Sequence, residues 1–297
     1  LGVKYGKGEE HAGRGEGEQE EDKSRGDVGD GDGHKNVTAT APSSGAAFAL
    51  RDVSVDIPAG AKVALVGRTG AGKSTALSAL FRLVEPSEGS IEIDGVDLST
   101  LGLHAARGAM ANIPQSPWLF SGSIRANVDP FEKYSDESIW AALEEVQLKD
   151  VFERDGLAHE LTEAGGNLSM GERQLVCLAR ALLSRRRVIT LDEATANVDM
   201  ATDRLIQDTV RSKFAGKTLI VIAHRLNTII DADVVLVLDG GRLVEQGAPH
   251  ALLEKEGSVF AGMCRETGEA SERYLRAAAA AAAATAAAAG RSDSKNV

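Results

Sequence analysis

The sequence predicts an α/β fold in which short apolar strands alternate with helices around a mostly parallel sheet. A strand of apolar residues, 63–66, runs directly into a glycine-rich loop. A second apolar strand, 188–191, ends in two carboxylates, and a third, 218–223, ends at a histidine. Helical patterns separate these strands, and this alternation is typical of a parallel sheet.

The loop after the first strand matches a phosphate-binding pattern, Gly67-x-x-x-x-Gly72-Lys73-Ser74. Glycines let successive backbone N–H groups turn toward phosphate oxygens, and the helix that starts at Lys73 adds the positive end of its dipole. Lys73 can reach the β- and γ-phosphates, and Ser74 can offer its hydroxyl to Mg²⁺. The pattern therefore predicts a nucleoside triphosphate site made by Gly67, Arg68, Thr69, Gly70, Ala71, Gly72, Lys73, Ser74 and Thr75.

Polar side chains follow the other two strands. In a parallel sheet, ligands gather at the carboxyl ends of the strands. Asp192 is predicted to hold Mg²⁺, directly or through water, and Glu193 to orient and deprotonate the attacking water. His224 stops the third strand in the same way. A lone histidine there is usually structural, but beside the other two strand ends it is predicted to contact the γ-phosphate.

Composition restricts the class of protein. The chain has 297 residues, of which 43% are hydrophobic, and a formal net charge of −11. The acidic balance argues against nucleic acid as a partner, because a phosphate backbone requires a basic face. Two cysteines, Cys177 and Cys264, argue against a disulfide framework and fit a reducing compartment. We find no convincing membrane span and no apolar signal segment, and a start at Leu suggests a piece of a longer protein.

The elements can be taken in chain order. Residues 1–5 have the pattern of a strand end, whereas residues 6–46 form an acidic, Gly-rich segment that predicts a disordered insertion. Residues 121–183 read as a helical lobe inserted into the core, and residues 268–297 as a low-complexity, Ala-rich tail. Predicted strands cover 49–57, 63–66, 90–95, 110–115, 188–191, 218–223, 233–238 and 242–246, and further predicted helices cover 73–84, 200–215 and 249–267.

Several phrases resemble one family. Leu168-Ser-Met-Gly-Glu172, shortly before the Asp-Glu pair, resembles the ABC signature motif. The phrases Ile113-Pro-Gln-Ser-Pro-Trp-Leu-Phe-Ser-Gly-Ser123, Arg173-Gln-Leu-Val-Cys-Leu-Ala-Arg-Ala-Leu182 and Ile222-Ala-His-Arg-Leu-Asn-Thr228 are similar to the second nucleotide-binding domain of C-subfamily ABC transporters, the multidrug-resistance-associated type. The resemblance covers roughly residues 47–267.

The resemblance implies a P-loop NTPase core with a mostly parallel sheet, an antiparallel β subdomain and an inserted helical subdomain. It also implies an ATPase that uses ATP and Mg²⁺. Two such domains, identical or different, would close face to face on two ATP molecules, and hydrolysis would move attached transmembrane domains. The expected location is therefore the cytoplasmic face of a membrane, within an integral membrane exporter.

The same resemblance assigns roles to residues. Gln115 matches the Q-loop glutamine, which touches Mg²⁺ and water, and His224 matches the switch histidine. Ser169 and Gly171 match the signature residues that bind a γ-phosphate held by the opposite domain, and Asp199 matches the D-loop aspartate at the dimer interface. Asp192 and Glu193 match the Walker B pair. The implied catalytic residues are Glu193, His224 and Gln115, and the implied Mg²⁺ ligands are Ser74, Gln115 and Asp192.

The sequence departs from the family pattern in two places. Met170 and Glu172 replace the commoner Gly and Gln of the signature, and the added charge of Glu172 is expected to weaken the partnered site. The aromatic residue that stacks on adenine in the family has its nearest match in Tyr5, far ahead of the strand at residue 49. If Tyr5 holds that place, residues 6–46 are an insertion in a hairpin loop, which costs little because closure entropy grows logarithmically with length. If Tyr5 is displaced, adenine loses its stacking partner.

Two other functions stay open at this point. Some C-subfamily members resemble channels or channel regulators, in which nucleotide binding gates a pore, and this domain's sequence barely separates the two. A soluble ABC ATPase acting on DNA or ribosomes is the other alternative. The acidic balance and the short segment between Gln115 and Ser169, with no room for a long coiled coil, disfavour it.

Overall fold

The computed structural model describes residues 2–4, 49–194, 198–223 and 225–293. Its strands are β1 (Gly2–Lys4), β2 (Ser54–Asp56), β3 (Lys62–Val66), β4 (Ser90–Ile93), β5 (Val96–Asp97), β6 (Met110–Ile113), β7 (Gly122–Ser123), β8 (Glu160–Leu161), β9 (Val188–Asp192), β10 (Thr218–Ile222), β11 (Val234–Asp239) and β12 (Arg242–Gly247). Its helices are α1 (Lys73–Leu80), α2 (Leu103–Gly108), α3 (Ile124–Val128), α4 (Asp136–Glu145), α5 (Lys149–Phe152), α6 (Met170–Ser184), α7 (Met200–Lys213), α8 (Pro249–Glu254), α9 (Val259–Glu266) and α10 (Glu269–Asp293).

A six-stranded sheet forms the centre of the fold, in the order β12-β11-β3-β10-β9-β6. The five strands from β11 to β6 are parallel, and β12 pairs antiparallel with β11 at the edge. Both faces of β3 are covered, since Val63 and Leu65 belong to one apolar core and Ala64 and Val66 to the other. The α/β fold with a mostly parallel sheet is therefore confirmed, and the ends of β3, β6 and β9 lie at one edge.

A separate antiparallel sheet has the order β2-β1-β4-β5. In it β1 lies between β2 and β4, with Gly2 opposite Asp56 on one side and Glu92 on the other. This sheet covers one face of the central sheet, and its Val55 and Ile91 share a core with α1. It is the antiparallel β subdomain that the resemblance implied.

The lobe between β6 and β9 is mainly helical, but it also contains a two-stranded antiparallel pair, β7 with β8. The helical lobe predicted over about 121–183 thus also contains two short strands that the prediction did not include. Two predicted helices also have different limits. The helix from Lys73 ends at Leu80 rather than near Val84, and the predicted helix over 249–267 is two helices, α8 and α9.

The Ala-rich tail begins as a packed helix. In α10, Leu275 and Ala279 are buried, and Arg276 donates a hydrogen bond to the carbonyl oxygen of Leu253 in α8 at 2.7 Å. Its first turns thus complete the core beneath α8 and α9. Among the residues that the structure describes, no helix is both long and apolar enough to cross a membrane.

Three predictions lie outside the described residues. They are the disorder of residues 6–46, the stacking role of Tyr5 and the γ-phosphate contact of His224.

Candidate active site

The phosphate-binding loop joins β3 to α1, and two of its glycines meet close neighbours. Gly67 has φ 155°, and a Cβ there would lie 2.3 Å from the carbonyl oxygen of Leu238 on the adjacent strand β11. Gly72, at the start of α1, has φ 105°, and a Cβ there would lie 2.6 Å from Leu50 Cδ2. A side chain at residue 67 would thus push the loop away from β11, and one at residue 72 would push the start of α1 away from Leu50. The residues Arg68, Thr69 and Gly70 between them are exposed, as a ligand-binding loop requires.

Lys73 lies inside this loop. Its side chain is buried, and Nζ donates hydrogen bonds to the carbonyl oxygens of Gly67 at 2.7 Å and Arg68 at 3.2 Å. Burial lowers the pKa of Lys73, and the nearby carboxylates of Glu193 and Asp192 oppose this effect. The amine therefore lies within the loop, where the carboxylates of Glu193 and Asp192 act on its charge.

Gln115 meets the acidic pair across the sheet edge. Asp192 is the last residue of β9, Glu193 follows it, and Gln115 lies just past the end of the neighbouring strand β6. Gln115 Nε2 donates a hydrogen bond to Glu193 Oε2 at 2.9 Å. Parallel pairing of β6 with β9 explains the contact, because it brings the two carboxyl ends side by side.

The backbone at Glu193 is in the left-handed region, with φ 46°. Its N–H donates to the carbonyl oxygen of Ile222, the last residue of β10, at 2.9 Å. A non-glycine residue in this region costs free energy, and such strain is often found at functional sites. The turn directs the Glu193 carboxylate toward Gln115 instead of continuing β9.

The oxygen donors near the loop suit Mg²⁺. Ser74 is exposed on the first turn of α1, and Asp192 is half-buried at the end of β9. Within the described ranges, no group of three or more His, Cys, Asp or Glu side chains could hold a metal ion by itself. The hydroxyl of Ser74 and the carboxylate of Asp192 fit Mg²⁺, which proteins usually bind through one or two carboxylates together with substrate phosphates. The residues present are thus compatible with the ion implied by the resemblance.

Ser169, Gly171 and Asp199 form a second group, at the starts of α6 and α7. Asp199 caps α7, accepting hydrogen bonds from the N–H groups of Ala201 and Thr202, each at 3.0 Å, and from Thr202 Oγ1 at 2.7 Å. Gly171 is buried against Thr202, where an added Cβ would lie 2.9 Å from Thr202 Cγ2. Thr202 therefore connects Gly171 with Asp199, so the starts of α6 and α7 lie together. The sequence analysis missed Thr202, whose signal is its position three residues after a capping aspartate.

Glu172 takes part in a capping box at the start of α6. The N–H of Ser169 donates to Glu172 Oε2 at 2.7 Å, and the N–H of Glu172 donates to Ser169 Oγ at 3.2 Å. The pattern Ser-x-x-Glu is a sequence signal for this arrangement. The Glu172 carboxylate therefore caps the start of α6 through a hydrogen bond and also places a negative charge there.

An ion pair connects the phosphate-binding loop to α9. Arg68 Nη2 pairs with Glu266 Oε1 at 2.9 Å, although both side chains are exposed. The start of α9 is held by Glu245 of β12, whose buried carboxylate accepts from the N–H groups of Val259 at 2.9 Å and Phe260 at 3.0 Å. Helix α9 is thus anchored to the central sheet at its start and contacts the loop at its end.

Comparison with known proteins gives the site its family. The family profile described as ABC transporter matches residues 50–196. A solved structure described as a bacterial Atm1-family ABC exporter with ATP bound superposes with a TM-score of 0.69 at 39% identity, over 74% of this chain and 39% of that one.

Curated relatives narrow the comparison. The chain is 53% identical over 221 residues to ATP-binding cassette sub-family C member 2 of Homo sapiens. This match covers 74% of this chain and 14% of that protein. It is 52% identical to the probable multidrug resistance-associated protein lethal(2)03659 of Drosophila melanogaster, over 77% of this chain and 17% of that protein. It is 50% identical to ATP-binding cassette sub-family C member 4 of Homo sapiens, over 78% of this chain and 18% of that protein. The chain thus spans less than a fifth of these relatives. With its P-loop, acidic strand end and signature helix in one fold, this chain belongs to the ABC transporter family, as an ATPase domain similar to those of the C-subfamily multidrug resistance proteins.

Proposed function

We propose that this chain binds Mg²⁺-ATP at the P-loop, hydrolyses it in a pair with a second nucleotide-binding domain, and so powers export across a membrane. The observation that carries the proposal is the meeting of three strand ends at one sheet edge. Lys73 follows β3, Glu193 follows β9 and Gln115 follows β6, with Gln115 and Glu193 joined at 2.9 Å. The carboxylate of Glu193 and the amide of Gln115 therefore lie beside the phosphate-binding loop that carries the amine of Lys73.

The residues divide the chemistry between them. The N–H groups of residues 67–75 and the amine of Lys73 bind the phosphates, which requires Lys73 Nζ to leave the carbonyl oxygens of Gly67 and Arg68. Glu193 accepts a proton from the attacking water, and Gln115 orients the carboxylate that does so. Ser74 and Asp192 would hold Mg²⁺, which supplies positive charge to the β- and γ-phosphate oxygens when bound. His224 is proposed to contact the γ-phosphate and Tyr5 to stack on adenine.

The second group of residues fits a partner domain. Ser169 lies at the exposed start of α6, where a helix dipole favours an anion, and Asp199 is exposed at the start of α7. We propose that these residues complete the ATP site of a facing nucleotide-binding domain, identical or different. Met200, which is 90% exposed beside Asp199, is an apolar contact available to that partner.

Transmembrane domains are the other proposed partner. Trp118, three residues after Gln115, is 73% exposed, and Phe131, shortly after α3, is 70% exposed. Exposed aromatic residues are common in protein interfaces. A partner that docks there would act on the segment that carries Gln115, and so on the base Glu193. The proposed location is therefore the cytoplasmic face of a membrane.

A regulatory role within a channel complex is the second candidate function. A regulatory domain would use the same ATP site but would bind ATP without sustained hydrolysis. The steady-state ATPase rate therefore separates it from the domain of a pump. A role on nucleic acid has less support, since the formal net charge is −11.

The test is steady-state Mg²⁺-ATP hydrolysis by the purified chain over a range of protein concentrations, beside Glu193→Gln. The proposal expects activity that rises faster than linearly with concentration and falls at least roughly 100-fold in the variant, because a general base is lost. The control is Glu153→Gln, the same charge change at an exposed position in the helical lobe, which should retain the parent rate. A Glu193→Gln protein that hydrolyses at the parent rate would contradict the base role. Binding of ATP without turnover at any concentration would mean that the chain needs a different partner domain or that its role is regulatory.

A further inference from the structure

We propose that Asp203 is a positioning residue for the ATPase reaction, acting through Arg225 on the segment that follows β10. The inference rests on the proposed function, in which Glu193 accepts a proton from the attacking water. Asp203 lies in the first turn of α7, and Arg225 lies just beyond the end of β10. The sequence analysis gave neither residue a role.

The two side chains form an ion pair that joins α7 to this segment. Arg225 Nη1 lies 3.6 Å from Asp203 Oδ2, which is too far for a hydrogen bond, so the attraction between the charges joins them. The Asp203 side chain is 19% exposed, whereas the Arg225 side chain is 51% exposed. Water therefore screens the pair mainly from the arginine side, and the carboxylate keeps much of its attraction for Arg225.

The other carboxylate oxygen of Asp203 is buried without a partner. Among the residues that the structure describes, none donates a hydrogen bond to Asp203 Oδ1. A buried acceptor that lacks a donor lowers the stability of the folded state, and in a native fold it needs an explanation. Asp203 is thus a costly side chain for the fold, and its ion pair with Arg225 supplies a role that offsets this cost.

Arg225 and the proposed base line the same cavity. This cavity, of about 90 Å³, is lined by residues of β9, β10 and α7, and its walls include Glu193, Gln207 and Arg225. The N–H of Glu193 also donates to the carbonyl oxygen of Ile222, the last residue of β10, at 2.9 Å. In the sequence, His224, which is proposed to contact the γ-phosphate, directly precedes Arg225. A shift of Arg225 would therefore change the surroundings of the base and move the segment that carries the histidine.

Other contacts hold both ends of the ion pair, so the pair can fix a distance. On α7, Asp203 follows Thr202, which packs against Gly171 at the start of α6. On the segment after β10, the carbonyl oxygen of Arg225 accepts hydrogen bonds from the N–H of Thr228 at 3.2 Å and from its hydroxyl at 2.7 Å. Asp203 thus links the start of α7, which is proposed to face a partner domain, with the strand end beside the base.

The experiment is steady-state Mg²⁺-ATP hydrolysis by the full chain, measured below the melting temperature of every variant. Asp203→Asn and Arg225→Gln each remove one charge of the pair, and the double variant removes both. The matched control is Asp208→Asn on the same helix, because the Asp208 carboxylate also lies 3.6 Å from an arginine, Arg211. Values of kcat and KM are compared with those of the parent.

We expect kcat to fall roughly fivefold or more in Asp203→Asn and in Arg225→Gln, because a small misplacement of catalytic groups slows the chemical step this much. KM for ATP should stay within about twofold of the parent value, because the phosphate-binding loop is untouched. The double variant should lose no more than the worse single variant, since residues that act as one unit are not additive. Asp208→Asn should retain the parental kcat.

Three kinetic outcomes would overturn the inference: a parental kcat in Asp203→Asn, losses that multiply in the double variant, or a rise in KM with kcat unchanged. The backbone amide NMR signal of Glu193 gives a readout that needs no turnover. It should shift in Asp203→Asn and in Arg225→Gln but not in Asp208→Asn, and an unshifted signal in the first two would also overturn the inference. A parent chain without turnover would contradict the proposed function itself, so the two failures are distinguishable.

Discussion

Replacement of Glu245 by Ala is expected to lower the free energy of unfolding by about 3 kcal/mol. The Glu245 side chain is 4% exposed and accepts three hydrogen bonds, from Val259 N at 2.9 Å and from Phe260 N and Ser258 Oγ at 3.0 Å. A buried donor left without a partner costs about 1–3 kcal/mol, and loss of a helix cap about 0.5–2 kcal/mol. These costs overlap because the same N–H groups are counted in both, so the estimate stays below their sum.

The same carboxylate makes a pH-dependent contribution. Burial raises the pKa of Glu245, but the N–H groups of Phe260 and Val259 and the hydroxyl of Ser258 outweigh burial and hold the pKa below its ordinary value of 4.5. A lowered pKa in the folded state means that the stabilisation is complete above pH 4.5 and is lost as the pH falls through the folded pKa. The stability difference between the parent and Glu245→Gln should therefore shrink as the pH falls below 4.5.

Urea denaturation and thermal melting of the chain check both points. For Glu245→Ala at neutral pH we expect a melting temperature lower by roughly 6–10 °C. Glu256→Ala, an exposed position in the same region, should melt with the parent. A Glu245→Ala protein as stable as the parent, or a stability difference for Glu245→Gln that is constant from pH 7 to pH 3, would refute the reasoning.

Two further predictions concern the site. Gln115→Ala should lower the maximal ATPase rate roughly tenfold or more while ATP affinity is retained, because Glu193 loses the partner that orients it; an unchanged maximal rate would remove Gln115 from that role. Gly171→Ala should cost about 1–3 kcal/mol of stability in urea denaturation, because the new methyl group would lie 2.9 Å from Thr202 Cγ2. The added change Thr202→Ser, which removes that methyl group, should recover part of the loss, and a Gly171→Ala protein with parental stability would contradict the packing argument.

Sequence predicted well those features that depend on residues adjacent in the chain. The apolar run before Gly67 and the run before Asp192 predict strands, and parallel pairing then brings their ends to one edge. The direct hydrogen bond from Gln115 to Glu193 was not predicted, because it depends on the backbone turn at Glu193, which φ 46° makes possible. Sequence patterns indicate the edge of the sheet but not the direction of a side chain after the strand ends.

Other elements depend on contacts from distant parts of the chain. The break between α8 and α9 has a local signal that the prediction did not use, because Gly257 has φ 72° and Ser258 caps α9. The hydrogen bonds that Glu245 accepts from Ser258 and Val259 across this break have no such signal. The pair β7 and β8 has two residues in each strand, too few to produce an alternating pattern. Leu275 is buried although it lies in an Ala-rich segment, because α8 and α9 offer a surface to cover. Tertiary packing decided the β7–β8 pair and the burial of Leu275, so local composition could not reveal them.

The position of β1 bears on where this domain can be cut. The segment that matches the family profile begins at residue 50, yet Gly2–Lys4 forms an inner strand between β2 and β4. A protein that begins at residue 50 and keeps the rest of the chain would retain its P-loop, its acidic strand end and helix α6. It would also leave β2 and β4 facing a gap, with rows of unpaired N–H and C=O groups that invite strands from other molecules. Poor solubility of such a fragment would then reflect a missing strand rather than a defect in nucleotide binding.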